Sequence, residues 1–188
     1  MTLETARLRL RPFHDGDLDA YAAMCADAEV MRYLSPAGEV LSREDAWRQL
    51  AMFVGHWQLR GFGMWAAEER ASGRFVGRIG LHYPEGWPDR ELGWALAREF
   101  WGRGLATEGA RGAADHAFQR LGWTHLISLI LPGNTRSISV AQRLGAKADG
   151  IVAVRGVEHL IYRLDRTSGD SRAPRDPRGT EAARRGRR

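Results

Sequence analysis

The chain of 188 residues has a single lysine, a single cysteine and no long run of apolar residues. One cysteine, Cys25, cannot form an internal disulfide. No apolar stretch approaches the roughly 18 to 20 residues that span a bilayer, and the N-terminal MTLETARLRLRPF lacks the apolar core of a signal peptide. These absences predict a cytoplasmic protein that does not associate with a membrane.

Positive charge is concentrated at the C-terminal end of the sequence. Residues 167–188 hold seven arginines and three acidic residues, a net charge of +4, which leaves +1 of the chain's +5 for residues 1–166. Because the end segment is rich in Arg, Pro and Gly and has no large apolar residue, we expect a disordered basic tail after one domain over residues 1–166. Nucleic-acid binding is not expected of the nearly neutral domain, and only the tail has the composition to bind a phosphate backbone.

The order of the predicted elements is that of one mixed α/β layer. A half-buried strand (6–13) is followed by two helices, and the second helix begins at the capping residue Ser42. Its predicted apolar stripe consists of Trp47, Leu50, Ala51, Val54 and Trp57. The remaining expected elements are three strands (63–70, 74–83 and 91–97), a helix (about 107–120), a buried strand (124–132), a short helix ending at Gly145 and a closing hairpin around Gly156.

The stretch FWGRGLATEG (100–109) places glycines directly before a predicted helix, a pattern that lets the backbone approach a phosphate. A triphosphate-binding P-loop needs a lysine after its glycines, and Lys147 is some forty residues away. A dinucleotide fingerprint has a third glycine where Thr107 stands, and it belongs to an early βαβ unit. Two interpretations of the stretch remain, a coenzyme A site and a plain helix start.

Two longer motifs connect this stretch to a known family. The run ELGWALAREFWGRGLATEGARGAADHAF (91–118) resembles the acetyl-CoA loop of the GNAT N-acetyltransferases, most closely the branch of the RimJ and RimL ribosomal-protein N-acetyltransferases with its W-G-x-G-x-A-T-E motif. NTRSISVAQRLGA (134–146) is similar to that family's N-x-x-S-x-x-V-x-x-[KR]-L-G-[FA] pattern, and TARLRLRPF (5–13) is similar to the branch's first strand. The resemblance implies an α/β fold in a single domain, with a mixed, mostly antiparallel central sheet and helices on both faces.

The resemblance also implies acetyl-CoA as the cosubstrate, without a metal ion. The loop amides at the positive helix end suit a pyrophosphate, and the strand before the loop should diverge from strand 124–132 so that its backbone pairs with the pantetheine arm. Trp101 stands where other branches carry glutamine or arginine, so Arg98 and Arg103 become the expected charge partners. The residues assigned to the cofactor are Trp94, Ala95, Leu96, Arg98, Trp101, Gly102, Arg103, Gly104, Leu105, Ala106, Thr107, Asn134 and Ser137.

Acetyl transfer to an amine requires a base, because an ammonium group has no lone pair. Glu91 is the first candidate, since it opens the strand that leads to the loop, where enzymes of this branch often carry a carboxylate. His82 on the adjacent strand is the second candidate. Glu108 lies in the first turn of the helix after the loop, where a glutamate commonly just complements the helix dipole.

The departing thiolate benefits from an acid. Many GNAT enzymes place a tyrosine seven positions after the asparagine of the second motif, but here that position is Ala141. The branch resembled here instead has a serine at the fourth position of N-x-x-S, and Ser137 is therefore the expected acid, with Tyr162 as an alternative. Asn134 is expected to position the pantetheine or to cap the helix.

The sequence therefore predicts an acetyl-CoA-dependent N-acetyltransferase that transfers acetyl directly, in a ternary complex, to a protein N-terminal α-amine or to a small-molecule amine. The sole cysteine lies in the first helix, away from both motifs, which argues against an acyl-enzyme. The alternative is a non-catalytic acyl-CoA-binding or nucleic-acid-associated protein of the same shape. Either a monomer or a homodimer is consistent with the sequence.

Overall fold

The computed structural model describes residues 1–35 and 37–167. The predicted tail therefore lies, apart from Thr167, outside the described residues. None of the helices in this described part is long and apolar enough to cross a membrane. The strands are β1 (Leu3–Glu4), β2 (Leu8–Arg11), β3 (Met64–Glu69), β4 (Phe75–His82), β5 (Glu91–Leu96), β6 (His125–Ile130), β7 (Lys147–Val154) and β8 (Val157–Asp165), and the helices are α1 (Leu18–Cys25), α2 (Ala28–Met31), α3 (Arg43–Arg60), α4 (Leu105–Gln119) and α5 (Thr135–Leu144).

All eight strands form one sheet in the order β1-β2-β3-β4-β5-β6-β8-β7. The pairs are antiparallel except for β5 and β6, which run parallel and are joined by the single residue pair Glu91–Ile127. This topology confirms the predicted α/β fold with a mixed, mostly antiparallel sheet. After Glu91 the two parallel strands diverge, and the sheet opens in its middle.

Helices cover the sheet on both faces, each over its own apolar core. Alanines of α4 pack with Leu8, Ile79 and Leu81 on one face, and α1, α2 and α3 pack with Phe13, Met64 and Ala66 on the other. The α4 helix lies very close to the sheet, because a Cβ atom on Gly109 would collide with the side chain of Ile79. Small residues on α4 are therefore required for its position, which also fixes the loop that precedes it.

Helix α3 has the predicted ends but a different buried face. Ser42 accepts a hydrogen bond from the N–H of Asp45 at the start, and Gly61 ends the helix with φ of 75°. The buried residues are Ala46, Leu50, Phe53 and His56, while Trp47 and Val54 are about half exposed, at 50% and 45%. The predicted stripe is therefore wrong at Trp47 and Val54. The predicted stripe and the buried face both follow the helical period, so the sequence pattern alone does not distinguish them. Phe53 packs on Phe13, with ring centroids 5.7 Å apart, and this contact turns the face of Phe53 toward the core.

Candidate active site

The divergence of β5 from β6 opens a cavity of about 750 Å³. Its walls come from the end of β5, the loop before α4, the first two turns of α4, one face of α5, and α2 with the turn after it. The predicted cofactor residues that line it are Trp94, Ala95, Leu96, Trp101, Gly102, Gly104, Leu105, Ala106, Thr107, Asn134 and Ser137. The two sequence motifs thus meet in one cavity.

The backbone of β5 alternates between its two neighbouring strands. Ile127 donates its N–H to the carbonyl of Arg90, so the backbone groups of even-numbered residues of β5 face β6 and the gap. Trp94 and Leu96 therefore present their backbone to the cavity, and the carbonyl of Leu96 accepts a hydrogen bond from the Trp101 indole at 2.8 Å. Ala95 also lines the cavity, but its carbonyl lies against Gly77 of β4 and not toward the gap.

The loop before α4 presents backbone donors to the cavity. Gly102 and Gly104 have φ of 73° and 76°, values that favour glycine, and α4 begins at Leu105, two residues earlier than predicted. The first amides of a helix have no partner within the helix and lie at its positive end. In the described part of the chain, the buried hydroxyl of Thr107 also has no hydrogen-bond partner. Together, these groups suit an anionic ligand.

The arginines expected to assist the loop bind elsewhere. Arg103 forms an ion pair with Glu69, and Arg98 lies 3.5 Å from a carboxylate oxygen of Asp27; neither residue belongs to the cavity lining. The cations that line the cavity are Arg111, Arg136 and Arg143. The guanidinium of Arg136 lies 4.4 Å from the ring centroid of Trp101. The sequence contains a pattern that indicates two of these cations, because Arg136 and Arg143 are seven residues apart and so share a face of α5.

Glu108 has a structural role. Its carboxylate accepts hydrogen bonds from the Thr5 hydroxyl at 2.6 Å and from the backbone N–H and Nε of Arg7 at 2.7 and 2.6 Å. Burial raises the pKa of Glu108, but these hydrogen bonds outweigh it and hold the pKa below its usual range. Glu108 therefore ties the start of the sheet to the start of α4.

Glu91 lies where β5 and β6 begin to diverge. One carboxylate oxygen accepts a hydrogen bond from the Trp87 indole at 2.9 Å, and the side chain is only partly exposed. Burial raises the pKa of Glu91 to about 7, against opposing effects of the Arg78 charge, the Trp87 hydrogen bond and the backbone N–H of Leu129. A carboxyl group with this pKa exchanges its proton near neutral pH.

His82 lies directly opposite Glu91 on β4. Its ring stacks on His56 with centroids 5.5 Å apart and meets Trp87 edge-on at 5.0 Å. Burial lowers the pKa of His82 to about 3, and the charges of Arg78 and Arg155 contribute in the same direction. Its Nδ1 atom is buried without a hydrogen-bond partner among the described residues. Those residues also contain no group of three His, Cys, Asp or Glu side chains that could hold a metal ion.

Ser137 and Asn134 lie at the start of α5. The Asn134 side-chain oxygen accepts a hydrogen bond from the N–H of Ser137 at 3.2 Å and so caps the helix. Both residues line the cavity. Tyr162, the alternative acid, is buried on β8 and does not line the cavity, and Ala141 is fully buried.

Known proteins share this architecture. Residues 7–147 match the family described as acetyltransferase (GNAT) domain. An uncharacterized protein of Bacillus subtilis, YkkB, is 33% identical over 151 residues, which cover 76% of this chain and 83% of YkkB. The FsC-acetyl coenzyme A-N(2)-transacetylase of Aspergillus fumigatus is 31% identical over 173 residues, which cover 85% of this chain and 66% of that protein.

Solved structures agree with the sequence comparison. The acetyltransferase from Agrobacterium tumefaciens C58 superimposes with a TM-score of 0.79 at 31% identity, over 88% of this chain and 95% of that one. RimL, a ribosomal L7/L12 α-N-protein acetyltransferase solved with coenzyme A, has a TM-score of 0.73 at 16% identity over 88% and 98% of the two chains, a likeness in fold alone. With the GNAT match spanning most of the chain, this protein belongs to the GNAT acetyltransferase family.

Proposed function

We propose that this protein is an acetyl-CoA-dependent N-acetyltransferase of the RimJ/RimL-like branch, which transfers acetyl directly to a primary amine. The observation that carries the proposal is that the end of β5, the loop before α4 and the start of α5 meet in one cavity. Glu91, a carboxyl group with a pKa of about 7, lies three residues before Trp94 on β5 and outside the residues that line this cavity. The relative from Aspergillus fumigatus, which is named an FsC-acetyl coenzyme A-N(2)-transacetylase, supports the same chemistry.

The cavity residues fit coenzyme A. The amides at the start of α4 and the partnerless Thr107 hydroxyl would bind the pyrophosphate, and Gly102 leaves room for it. Arg136 and Arg143 are available for further phosphate charge. The backbone of Trp94 would pair with the amides of the pantetheine arm, as an added strand does. Bound acetyl-CoA supplies the acetyl group as a reactive thioester.

Glu91 is the proposed base, because His82 with a pKa of about 3 is too weak to hold a proton near neutral pH. The Glu91 carboxylate takes a proton from the acceptor amine, directly or through a water molecule. The amine nitrogen then forms a bond to the thioester carbonyl carbon, and the bond from that carbon to sulfur breaks. Ser137 lines the cavity, and its hydroxyl is the proposed donor to the departing sulfur. Cys25 is buried at 1% exposure, which favours transfer without an acyl-enzyme.

The test is release of free coenzyme A from acetyl-CoA across two acceptor panels, short peptides with a free α-amine and small-molecule amines. We expect acetylation of at least one panel, and a decrease in kcat for Ser137→Ala without loss of coenzyme A binding. Calorimetry with coenzyme A distinguishes the alternative. Binding without thiol release for any acceptor would replace the enzyme by an acyl-CoA-binding protein.

A further inference from the structure

The face of the sheet under α1 and α3 continues beyond Glu91. Arg78, Gly80 and His82 alternate along β4, so they share this face, and Gly93 and Glu91 lie opposite Gly80 and His82 on β5. The side chains of Arg78, His82 and Glu91 are each partly exposed, although most of their neighbours are buried. We name Arg78, His82 and Glu91 the acceptor face.

The middle of the acceptor face is formed by Gly80 and Gly93, and atoms of Met64 lie close to both glycines. Gly80 and Gly93 have no side chains, and the methyl group of Met64 lies 2.6 Å from the position that a Cβ atom on Gly93 would take. Arg78 and His82 are four residues apart, which places their Cα atoms about 13 Å from each other along the strand. The face thus has a cationic end at Arg78 and a base at Glu91, with the two glycines between them.

Arg78 is the unusual member of this face. It makes no salt bridge within residues 1–35 and 37–167, whereas Arg11, Arg98 and Arg103 are each paired with a carboxylate there. Its Nε atom is buried and has no hydrogen-bond partner in that part of the chain. The guanidinium lies 5.3 Å from the ring centroid of Phe53 and near the hydroxyl of Tyr21.

A half-buried guanidinium without a salt bridge is costly, because burial removes water from its Nε atom and no described residue replaces that water there. Buried polar atoms that have no partner require an explanation, and a ligand is one such explanation. A guanidinium matches a carboxylate particularly well, since two parallel N–H groups can donate to its two oxygens. A second cation, Arg155 at the tip of the β7–β8 hairpin, lies close enough to lower the pKa of His82.

We propose that the acceptor is a primary amine that also carries a carboxylate, and that Arg78 binds this carboxylate while the amine lies at Glu91. The inference rests on the proposed acetyl transfer and adds the chemical class of its acceptor. The carbon atoms that join the two groups would lie against the Met64 side chain beside Gly93. Arg78 is a specificity-determining residue in this arrangement, and Glu91 remains the base.

The test compares matched acceptors in each protein variant. Glycine, β-alanine and γ-aminobutyrate are each paired with their carboxamides, and kcat/KM is measured for the acid and for the amide. We expect Arg78→Gln to lower the acid-to-amide ratio of the best pair by roughly 10- to 100-fold, the value of a lost hydrogen-bonded charge contact. Arg78→Lys should keep part of the preference. Arg43→Gln, which removes an exposed arginine of α3, should leave the ratio unchanged.

The ratio also separates specificity from stability, because a folding defect lowers both rates equally. An unchanged ratio in Arg78→Gln, with both rates reduced together, would show that Arg78 only supports Tyr21 or the charge of Glu91, and the inference would fail. Calorimetric binding of acid and amide to the coenzyme A complex gives the same ratio without turnover. If thiol release is absent, the proposed function fails, and the binding ratio still decides the role of Arg78. Ser-Asp against Ser-Asn dipeptide amides show whether a peptide supplies the carboxylate.

Discussion

Glu91 and His82 lie directly opposite each other on β5 and β4, and burial shifts their pKa values in opposite directions. Burial disfavours the charged form of each group, which is the carboxylate for Glu91 and the imidazolium for His82. The pKa of Glu91 rises to about 7, and that of His82 falls to about 3. Near neutral pH, therefore, Glu91 is the member of the pair that changes its charge, while His82 stays neutral.

This difference predicts the pH dependence of catalysis. Because the carboxylate is the active form of the base, kcat should rise as the pH increases through about 7 and then level off. Glu91→Gln should lower kcat by about 100- to 1000-fold and remove this rise. The measurement is kcat from pH 5.5 to 9 with two acceptors whose amines differ in pKa, so that titration of the amine can be recognised.

Glu85→Gln is the matched control, since Glu85 is fully exposed and lies six residues before Glu91. It should keep both the rate and the pH profile. A profile of Glu91→Gln that still rises near pH 7 would assign the titration to another group. The groups around the carboxyl are Arg78 and His82 from β4, Trp87 from the preceding loop, and His56 and Arg155 beside His82.

The loop before α4 needs glycine for its backbone conformation, and it also forms part of the proposed binding site. Gly102 and Gly122 lie before and after α4 with nearly equal φ of 73° and 70°, and a Cβ atom on either would meet no atom within 4 Å. The two glycines therefore impose the same conformational requirement. They differ because Gly102 lines the cavity, and Gly122 is not part of its lining.

The pair allows strain to be separated from binding. Alanine at either position should destabilise the fold by about 1 to 2 kcal/mol, because an L-residue is disfavoured at this φ. Gly102→Ala should in addition raise the KM for acetyl-CoA severalfold, because its methyl group enters the proposed pyrophosphate site. Thermal unfolding and KM measured on both variants test this. An equal change in KM for Gly102→Ala and Gly122→Ala would place the pyrophosphate elsewhere.

The sequence predicted those elements whose buried residues recur with the period of a strand or a helix. The alternation in β2, the capping residue of α3 and the glycines around α4 located these elements to within a few residues. The two-residue strand β1 was missed, since it carries no periodic signal and depends on its pairing of Leu3 with Leu10. The exposed side of α3 at Trp47 and Val54 was likewise decided by packing.

The candidate site could likewise be predicted only in part from the sequence. The two motifs indicated which backbone segments line the cavity, because the glycines before α4 and the capping Asn134 of α5 determine the conformation of their own segments. The direction of the Ala95 carbonyl, the ion pairs of Arg98 and Arg103, and the cation at Arg136 depend on neighbouring strands and helices. The Nε atom of Arg78, which has no hydrogen-bond partner among the described residues, can likewise be recognised only in the folded structure.

The split in the sheet lies between the two apolar cores and is in contact with both. Trp101 packs against both the α4 core and the α1–α3 core, and its indole donates to the carbonyl of Leu96 at the edge of the gap. A ligand in the cavity would therefore contact elements from both faces, including Tyr33 after α2 and Thr107 in α4. Binding should stabilise the fold as one unit, since it favours the native state alone.

We propose that the catalytic unit consists of residues 1–166. Every described strand and helix lies between Leu3 and Asp165, and the N–H of Arg166 donates to the carbonyl of Thr124 at 2.9 Å. A chain cut after Thr167 keeps this hydrogen bond and removes most of the basic segment. Its unfolding midpoint and its KM for acetyl-CoA should therefore equal those of the full chain. Binding of a DNA duplex at low and high salt, measured on both chains, tests the basic segment separately, because phosphate contacts weaken as salt rises. Loss of stability or of acetyl transfer in the shortened chain would extend the catalytic unit into residues 168–188.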